Sequence, residues 1–188
     1  MNKRIFLAVK INPEPETLDL FDLLRDELAG EQIKWVDEDQ LHITLRFFGD
    51  TSEDQVKVIS AAVKSCCRQH RDFSFDLCSP GYFHKHQQPT VILLRLEKAD
   101  ALMALQKDLE DQMEHQGISR EEKKFKPHLT LGRIKSIRDS EAFDGLLKQF
   151  PQKCIQQIPV TEVILYESIL KPSGPEYHML ERFKLENR

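Results

Sequence analysis

The sequence predicts an α+β fold. Its two pseudo-symmetric lobes have mainly antiparallel sheets facing a central cleft, with helices on the outside. Three observations carry this. Strand-like and helix-like segments alternate, in the order strand-helix-strand-strand-helix-strand, before and after roughly the middle of the chain. Hairpin signals favour antiparallel pairing over a doubly wound parallel sheet. One tetrapeptide pattern appears in each half, as His42-Ile43-Thr44-Leu45 and as His128-Leu129-Thr130-Leu131.

The bulk numbers bound the class. The chain of 188 residues is long enough for one substantial domain or two closely packed lobes. Residues 1–188 are read as a single bilobal domain. Hydrophobic content of 40% and charged content of 31% describe an ordinary soluble protein. A formal charge of −4 excludes indiscriminate nucleic-acid binding, so an anionic partner must meet a local patch. The apolar run from Ile5 to Val9 is too short for a signal peptide, and nothing approaches a membrane span. Cys66, Cys67, Cys78 and Cys154 contain no C-x-x-C pair, and two of them are adjacent. That argues for reduced thiols in the cytoplasm, with neither a disulfide frame nor a zinc site.

Arg4 to Ile11 reads as a buried first strand, ended by Pro13 and Pro15. Thr17 is placed to cap a helix from Leu18 to Ala29, with Leu18, Phe21, Leu24 and Leu28 on one stripe and Gly30 as its stop. Ile33 to Val36 is a short strand carrying Trp35, which is assigned to the core. Leu41 to Phe48 is the first motif strand, and Gly49-Asp50 turns the chain. Ser52 and Gln55 form a capping box for a helix to about His70, with Val56, Ile59 and Val63 inward. Phe73 to Leu77 alternates as a strand. Ser79-Pro80-Gly81 is a turn signal, and Tyr82 to Pro89 reads as a polar loop. Thr90 to Leu96 is an apolar strand. Asp100 caps a helix to about Gln116, ended by Gly117. A charged segment, Arg120 to Lys126, leads through Pro127 into the second motif strand, His128 to Ile134. Ser140 to Phe150 is a helix. Thr161 to Leu170 and Glu176 to Leu185 are the last strands, joined by a hairpin at Pro172-Ser173-Gly174-Pro175.

Successive strand side chains point to opposite faces, so His42 and Thr44 share one face and Ile43 and Leu45 the other. The second motif repeats this. Two motif strands side by side would put two imidazoles across one substrate. A neutral and a protonated histidine are the minimum kit for concerted acid–base catalysis near neutral pH. The threonine hydroxyls, one strand period away, suit the non-bridging oxygens of an anionic centre. Arg46 has the parity of His42 and Thr44. Arg133 has the wrong parity for a regular strand and reaches the same face only if Gly132 permits a bulge or the strand has ended. By parity Phe47 is core, and Phe48 shares the His42 face, where it can stack on a base. A phosphate diester or cyclic phosphate, tetrahedral and anionic, fits such a site.

In these residues the chain resembles the 2H phosphoesterases, and most closely the bacterial and archaeal RNA 2′,3′-cyclic phosphodiesterases, also described as 2′–5′ RNA ligases. The resemblance rests on HITLRFFGD and FKPHLTLGR, the opening RIFLAVKI, KWVDEDQ before the first motif, and the late LYESIL and GPEYHMLERF. It implies a bilobal fold and metal-independent opening of a terminal 2′,3′-cyclic phosphate to a 2′-phosphate, with no cofactor. Carried over, His42 is the proton donor to the departing 3′-oxygen and His128 the acceptor from water. Thr44 and Thr130 hold the phosphate, and Arg133 is the arginine that follows the second motif. Arg46 and Phe48 join them as substrate-binding candidates on parity alone. The expected partners are RNA ends or nucleoside 2′,3′-cyclic phosphates, with no membrane, and the expected form is a monomer. The run Phe83-His84-Lys85-His86 departs from the proline-containing turn expected there. A 2′–5′ oligonucleotide phosphodiesterase, a non-catalytic RNA-end-binding module and a metal-dependent hydrolase are the competing readings.

Four further features carry weaker signals. His84 and His86 at i, i+2 lack a third ligand and read as a solvated loop. His70 and His115 fall at helix C-terminal ends, where they complement the dipole. His178 reads as structural. Lys123-Lys124-Phe125-Lys126, just before the second motif, is either a plain charged loop or a guide for an RNA phosphate, with Phe125 packing or stacking.

Overall fold

The computed structural model describes residues 2–172 and 174–186. In chain order the elements begin with β1 (Lys3–Lys10), α1 (Pro15–Glu27), β2 (Gln32–Trp35), a 3-10 turn (Glu38–Gln40), β3 (His42–Thr51) and α2 (Glu53–Cys67). They continue with β4 (Phe73–Lys85), β5 (Gln88–Glu97), α3 (Asp100–His115) and β6 (His128–Ser136). The last are α4 (Ser140–Gln149), β7 (Gln156–Val160), β8 (Glu162–Lys171) and β9 (Gly174–Lys184).

Two antiparallel sheets result. The four-stranded sheet has the order β3-β1-β8-β9, and the five-stranded sheet the order β2-β6-β5-β4-β7. The predicted α+β class and the two facing sheets are what forms. Each motif strand pairs with an apolar central strand, β3 with β1 and β6 with β5. Ile5, Leu7 and Val9 of β1 and Ile92 and Leu94 of β5 are buried, which anchors both motif strands on the hydrophobic interior. α2 packs on β8, β9 and α3. α1 and α4 cover the five-stranded sheet, with Phe21 edge-on to Trp35 at 5.7 Å and Phe143 edge-on to Tyr82 at 5.3 Å.

Several local expectations are corrected. α1 begins at Pro15, not after Thr17, because proline's missing N–H is harmless in a first turn. Thr17 is buried instead, and its hydroxyl donates to Gln156 Oε1 at 2.7 Å, tying α1 to β7. Asp100 is the first residue of α3 and makes no side-chain cap, whereas the Ser52–Gln55 capping box of α2 forms as predicted. The expected turn at Ser79-Pro80-Gly81 is a bulge inside β4. Register slips between Leu77 and Pro80, and β7 stops pairing at Leu77, so the proline sits where a ladder bond is not required. The expected loop at Tyr82–Pro89 is a tight β4–β5 hairpin. His86 and Gln87 take φ of 50° and 65°, the both-positive pattern that matches strand twist in two-residue turns. β7 was not anticipated. The β8–β9 hairpin forms as predicted, with Ser173 of its turn outside the described residues.

The cysteines also depart from expectation. Cys78 and Cys154 form a disulfide, because β7 lies beside β4 and the Ile155 N–H donates to the Leu77 carbonyl at 2.8 Å. Sequence spacing cannot show such a cross-sheet neighbour. Cys66 and Cys67 are free and buried in α2, where burial pushes their thiols up to about 11 and about 12. They are inert apolar side chains at neutral pH. Among the described residues, no helix is long and apolar enough to cross a membrane.

Candidate active site

The two motif strands meet at a cleft between the sheets. One cavity of about 380 Å³ is lined by His42 and Thr44 of β3, Thr130 and Arg133 of β6, Lys34 and Trp35 of β2, and Tyr177 of β9. His128 stands directly across the strand pair from Arg95, two residues before Thr130, and its charge is felt at His42.

Both imidazoles are fixed the same way. His42 Nδ1 lies 2.7 Å from the Gln40 carbonyl oxygen, and His128 Nδ1 lies 2.7 Å from the Lys126 carbonyl oxygen. A carbonyl only accepts, so Nδ1 is the donor in each ring. Nε2 is therefore left to exchange protons with a substrate. The local sequence sets this up. The 3-10 turn Glu38–Gln40 delivers the Gln40 carbonyl. Pro127 biases Lys126 towards an extended backbone, so its carbonyl lies beside the ring two residues on. Aromatic neighbours complete the sockets. Tyr177 is edge-on to His42 at 5.3 Å with Phe6 tilted at 5.1 Å, and Phe83 is edge-on to His128 at 4.6 Å.

Burial lowers both histidine pKa values. For His42 it acts against the Gln40 hydrogen bond and is reinforced by the charges of Lys10, His128 and Arg133. For His128 it acts against the Lys126 hydrogen bond and is reinforced by Arg133. Without an anion in the cleft, the neutral forms are favoured.

Strand bulges decide which neighbours join the histidines. In β3, Ala8 pairs with Thr44 but Leu7 pairs with Arg46, so Leu45 is the extra residue. In β6, Leu93 pairs with Thr130 but Ile92 pairs with Gly132, so Leu131 is the extra residue. Each bulge inverts the parity of the residues after it. The bulged carbonyls find partners outside their main ladders. Leu131 accepts from the Val36 N–H at 2.8 Å, and Leu45 accepts from Gln106 Nε2 at 3.5 Å.

The consequence for the arginines is opposite. Arg133 is returned to the face of His128 and Thr130 and lines the cavity, fulfilling the condition set on Gly132. Arg46 is turned away from the cleft, which corrects the parity assignment. It is buried, its Nη1 donates to Glu110 of α3, and its Nη2 donates to the Ser119 carbonyl. Phe48 is corrected with it. A second bulge, at Phe48, leaves Phe47 paired with Phe6 on the cleft side, while Phe48 packs half-buried against the core. Phe47 is the exposed ring, 40% accessible, with the Arg4 guanidinium 4.6 Å from its centroid.

Sequence reasoning missed Tyr177, Lys10 and Lys34, and assigned Trp35 to the core although it lines the cleft while packing on Phe21. Only strand pairing brings these residues in. Lys10 stands opposite His42 across β1–β3, and Lys34 opposite Arg133 across β2–β6. Tyr177 reaches His42 because β8 joins β9 to β1. The one group of described residues close enough to share a metal is Cys78, Glu97 and Cys154. Its two sulfurs are bonded to each other, and none of the three lines the cleft.

The profile of the 2′-5′ RNA ligase superfamily matches residues 8–168, a span that includes both motifs. The chain belongs to this superfamily of 2H phosphoesterases. It is 32% identical over 185 residues to the RNA 2′,3′-cyclic phosphodiesterase of Thermotoga maritima, covering 97% of this chain and 96% of the relative. A relative of the same name from Methanothermobacter thermautotrophicus is 32% identical over 187 residues, covering 98% of this chain and 100% of its own. Among solved structures, TT0787 of Thermus thermophilus matches with a TM-score of 0.77 and 28% identity over 97% of each chain. Apo LigT of Escherichia coli matches with a TM-score of 0.70 at 22% identity over 98% of each chain, and shares the fold.

Proposed function

We propose that the chain is a phosphoric diester hydrolase that opens the 2′,3′-cyclic phosphate of an RNA end to a 2′-phosphomonoester. One observation carries the reading. Two histidines on opposite sheets each have Nδ1 committed to a backbone carbonyl; His42 lines a cavity with two threonines and one guanidinium, and His128 shares the strand face of Thr130 and Arg133 at its edge. The names of the Thermotoga and Methanothermobacter relatives support it, since both align over nearly the whole chain.

In this reading His128 Nε2 takes a proton from water as the water oxygen bonds to phosphorus. The P–O3′ bond breaks, and His42 Nε2–H gives its proton to the departing 3′-oxygen. The product keeps the phosphate on O2′. Thr44 and Thr130 donate to the non-bridging oxygens, and Arg133 balances the charge that builds on them. The anionic phosphate offsets the burial and cationic neighbours that hold His42 neutral, so substrate binding itself readies the acid. If the 5′-hydroxyl of a second RNA replaces water, the same transfers make a 2′–5′ linkage, which is the ligation direction. Neither half holds the set of groups alone, so residues 1–188 act as one bilobal domain.

The test is product assignment. An oligonucleotide ending in a 2′,3′-cyclic phosphate should yield only the 2′-phosphate, at an EDTA-insensitive rate. A 3′-phosphate product would mean that the other ester bond is cut. Cleavage confined to 2′–5′ linkages would move the enzyme to the neighbouring activity.

A further inference from the structure

The face of the five-stranded sheet beyond His128 is not used by the reaction above. Strand pairing places Arg95 beside His128, Leu93 beside Thr130 and Gly81, and Val91 beside Arg133 and Phe83. All of these side chains share the cleft-side face. A Cβ on Gly81 would come within 2.7 Å of Arg95 Nε, so glycine is what lets the guanidinium lie flat on the sheet. The Phe83 ring, half-buried, sits between His128, with centroids 4.6 Å apart, and Lys126, whose Nζ is 5.8 Å from its centroid.

Some surface cations meet carboxylates, as Arg25, Lys107, Arg120 and Lys148 do. Arg95 and Lys126, like Arg133 and Lys34, form no ion pair among the described residues. On a chain of net charge −4, Arg95, Lys126 and Arg133 around one histidine form a local cationic face that suits an anion. Unpaired cations beside an accessible aromatic ring are what a single nucleic-acid strand requires. Phe125, the ring considered for stacking from the sequence, packs against the core and leaves this place to Phe83.

We propose that Phe83, Arg95 and Lys126 form a subsite for the penultimate nucleotide of the RNA end. Arg95 and Lys126 hold the phosphodiester on the 5′ side of the terminal nucleotide, and Phe83 stacks the next base. The proposal rests on the reaction proposed above. It makes the preferred substrate an RNA strand end and not a free mononucleotide.

Three substrates separate the contacts: a nucleoside 2′,3′-cyclic phosphate, the same compound with a 5′-phosphate, and a dinucleotide ending in the cyclic phosphate. Adding the 5′-phosphate should raise kcat/KM roughly tenfold, and adding the second nucleoside should raise it at least about fivefold more. In R95Q/K126Q the first ratio should fall to within about twofold of unity, and the salt dependence should flatten by about 0.7 in log–log slope per lost phosphate contact. In F83L the second ratio should fall while the first persists. Ratios are insensitive to any change that the variants impose on His128 itself. Equal kcat/KM for all three substrates in the wild type would overturn the subsite. So would ratios that survive in the variants, or an F83L loss equal for every substrate. If the wild type turned over none of the three, the reaction itself would fall, and the subsite with it.

Discussion

The two motif strands carry the same pattern and the same bulge, yet the residues just past the bulge serve opposite ends. In β3 the residue after the bulge is Arg46, which enters the interior and meets Glu110. In β6 it is Gly132, where a Cβ would stand 2.8 Å from Ile33 Cγ2 and 3.1 Å from Trp35. Both positions point inward. β3 is an edge strand with a buried carboxylate waiting, whereas β6 is squeezed between β2 and β5 and admits only glycine. One residue later the strands face the cleft again. There β3 offers Phe47 and β6 offers Arg133. The symmetric pair is therefore His/Thr with His/Thr, and the guanidinium belongs to one side only.

That difference can be tested from both ends. H42A and H128A should each lower kcat by about 10³-fold, the range for one positioned acid or base, with the fold intact by circular dichroism. An equal, small effect in both would break the two-imidazole scheme. R133M should lower kcat/KM by about 10²-fold at unchanged Tm, as for loss of one electrostatic partner of the transition state. R46M should do the reverse. It leaves Glu110 buried without its partner, which costs about 3–5 kcal/mol of stability, while the folded fraction keeps near wild-type kcat/KM. Adding E110L should recover most of that loss. A large kinetic defect in folded R46M would restore Arg46 to the cleft and refute the inverted parity.

The smallest effect is in pH. Both histidines sit below their ordinary value of about 6.5, chiefly through burial. The bell in kcat/KM should therefore centre below that pH. In kcat its alkaline limb should move upward, because the bound phosphate favours imidazolium. Stability follows the same sign. Between the folded and unfolded pKa values the unfolded chain binds more protons. The contribution is thus fully present above about 6.5 and is lost as pH falls through the lowered folded values. Thermal melts of wild type and H42Q/H128Q across pH 5–8 would show it as a slope that the double variant lacks.

The histidine pair was legible in the sequence because it needs only local information. A repeated His-x-Thr, a strand period of two and the apolar alternate positions name the residues and the face. The α+β class and most helices followed from periodicity in the same way. Errors cluster where the ladder is irregular. Arg46, Phe48 and the supposed turn at Ser79-Pro80-Gly81 were all misplaced by bulges, each of which inverts or delays parity by one residue without a reliable composition signal. The hairpin at His86-Gln87 was hidden because neither residue is the glycine or asparagine that usually marks positive φ.

By itself, the sequence determined that two histidines and two threonines lie on strands with buried backs, and that Arg133 needed a break in the strand to reach them. Only the tertiary structure decided where the breaks fall, and so which arginine serves the cleft and which the core. It also decided that Lys10, Tyr177 and Phe83 stand beside the histidines and Lys34 opposite Arg133, and that Cys78 meets Cys154. The physical reason is common to all of these. Side-chain alternation is written along one strand, but register, bulges and cross-strand neighbours are settled by packing against strands that are distant in the chain.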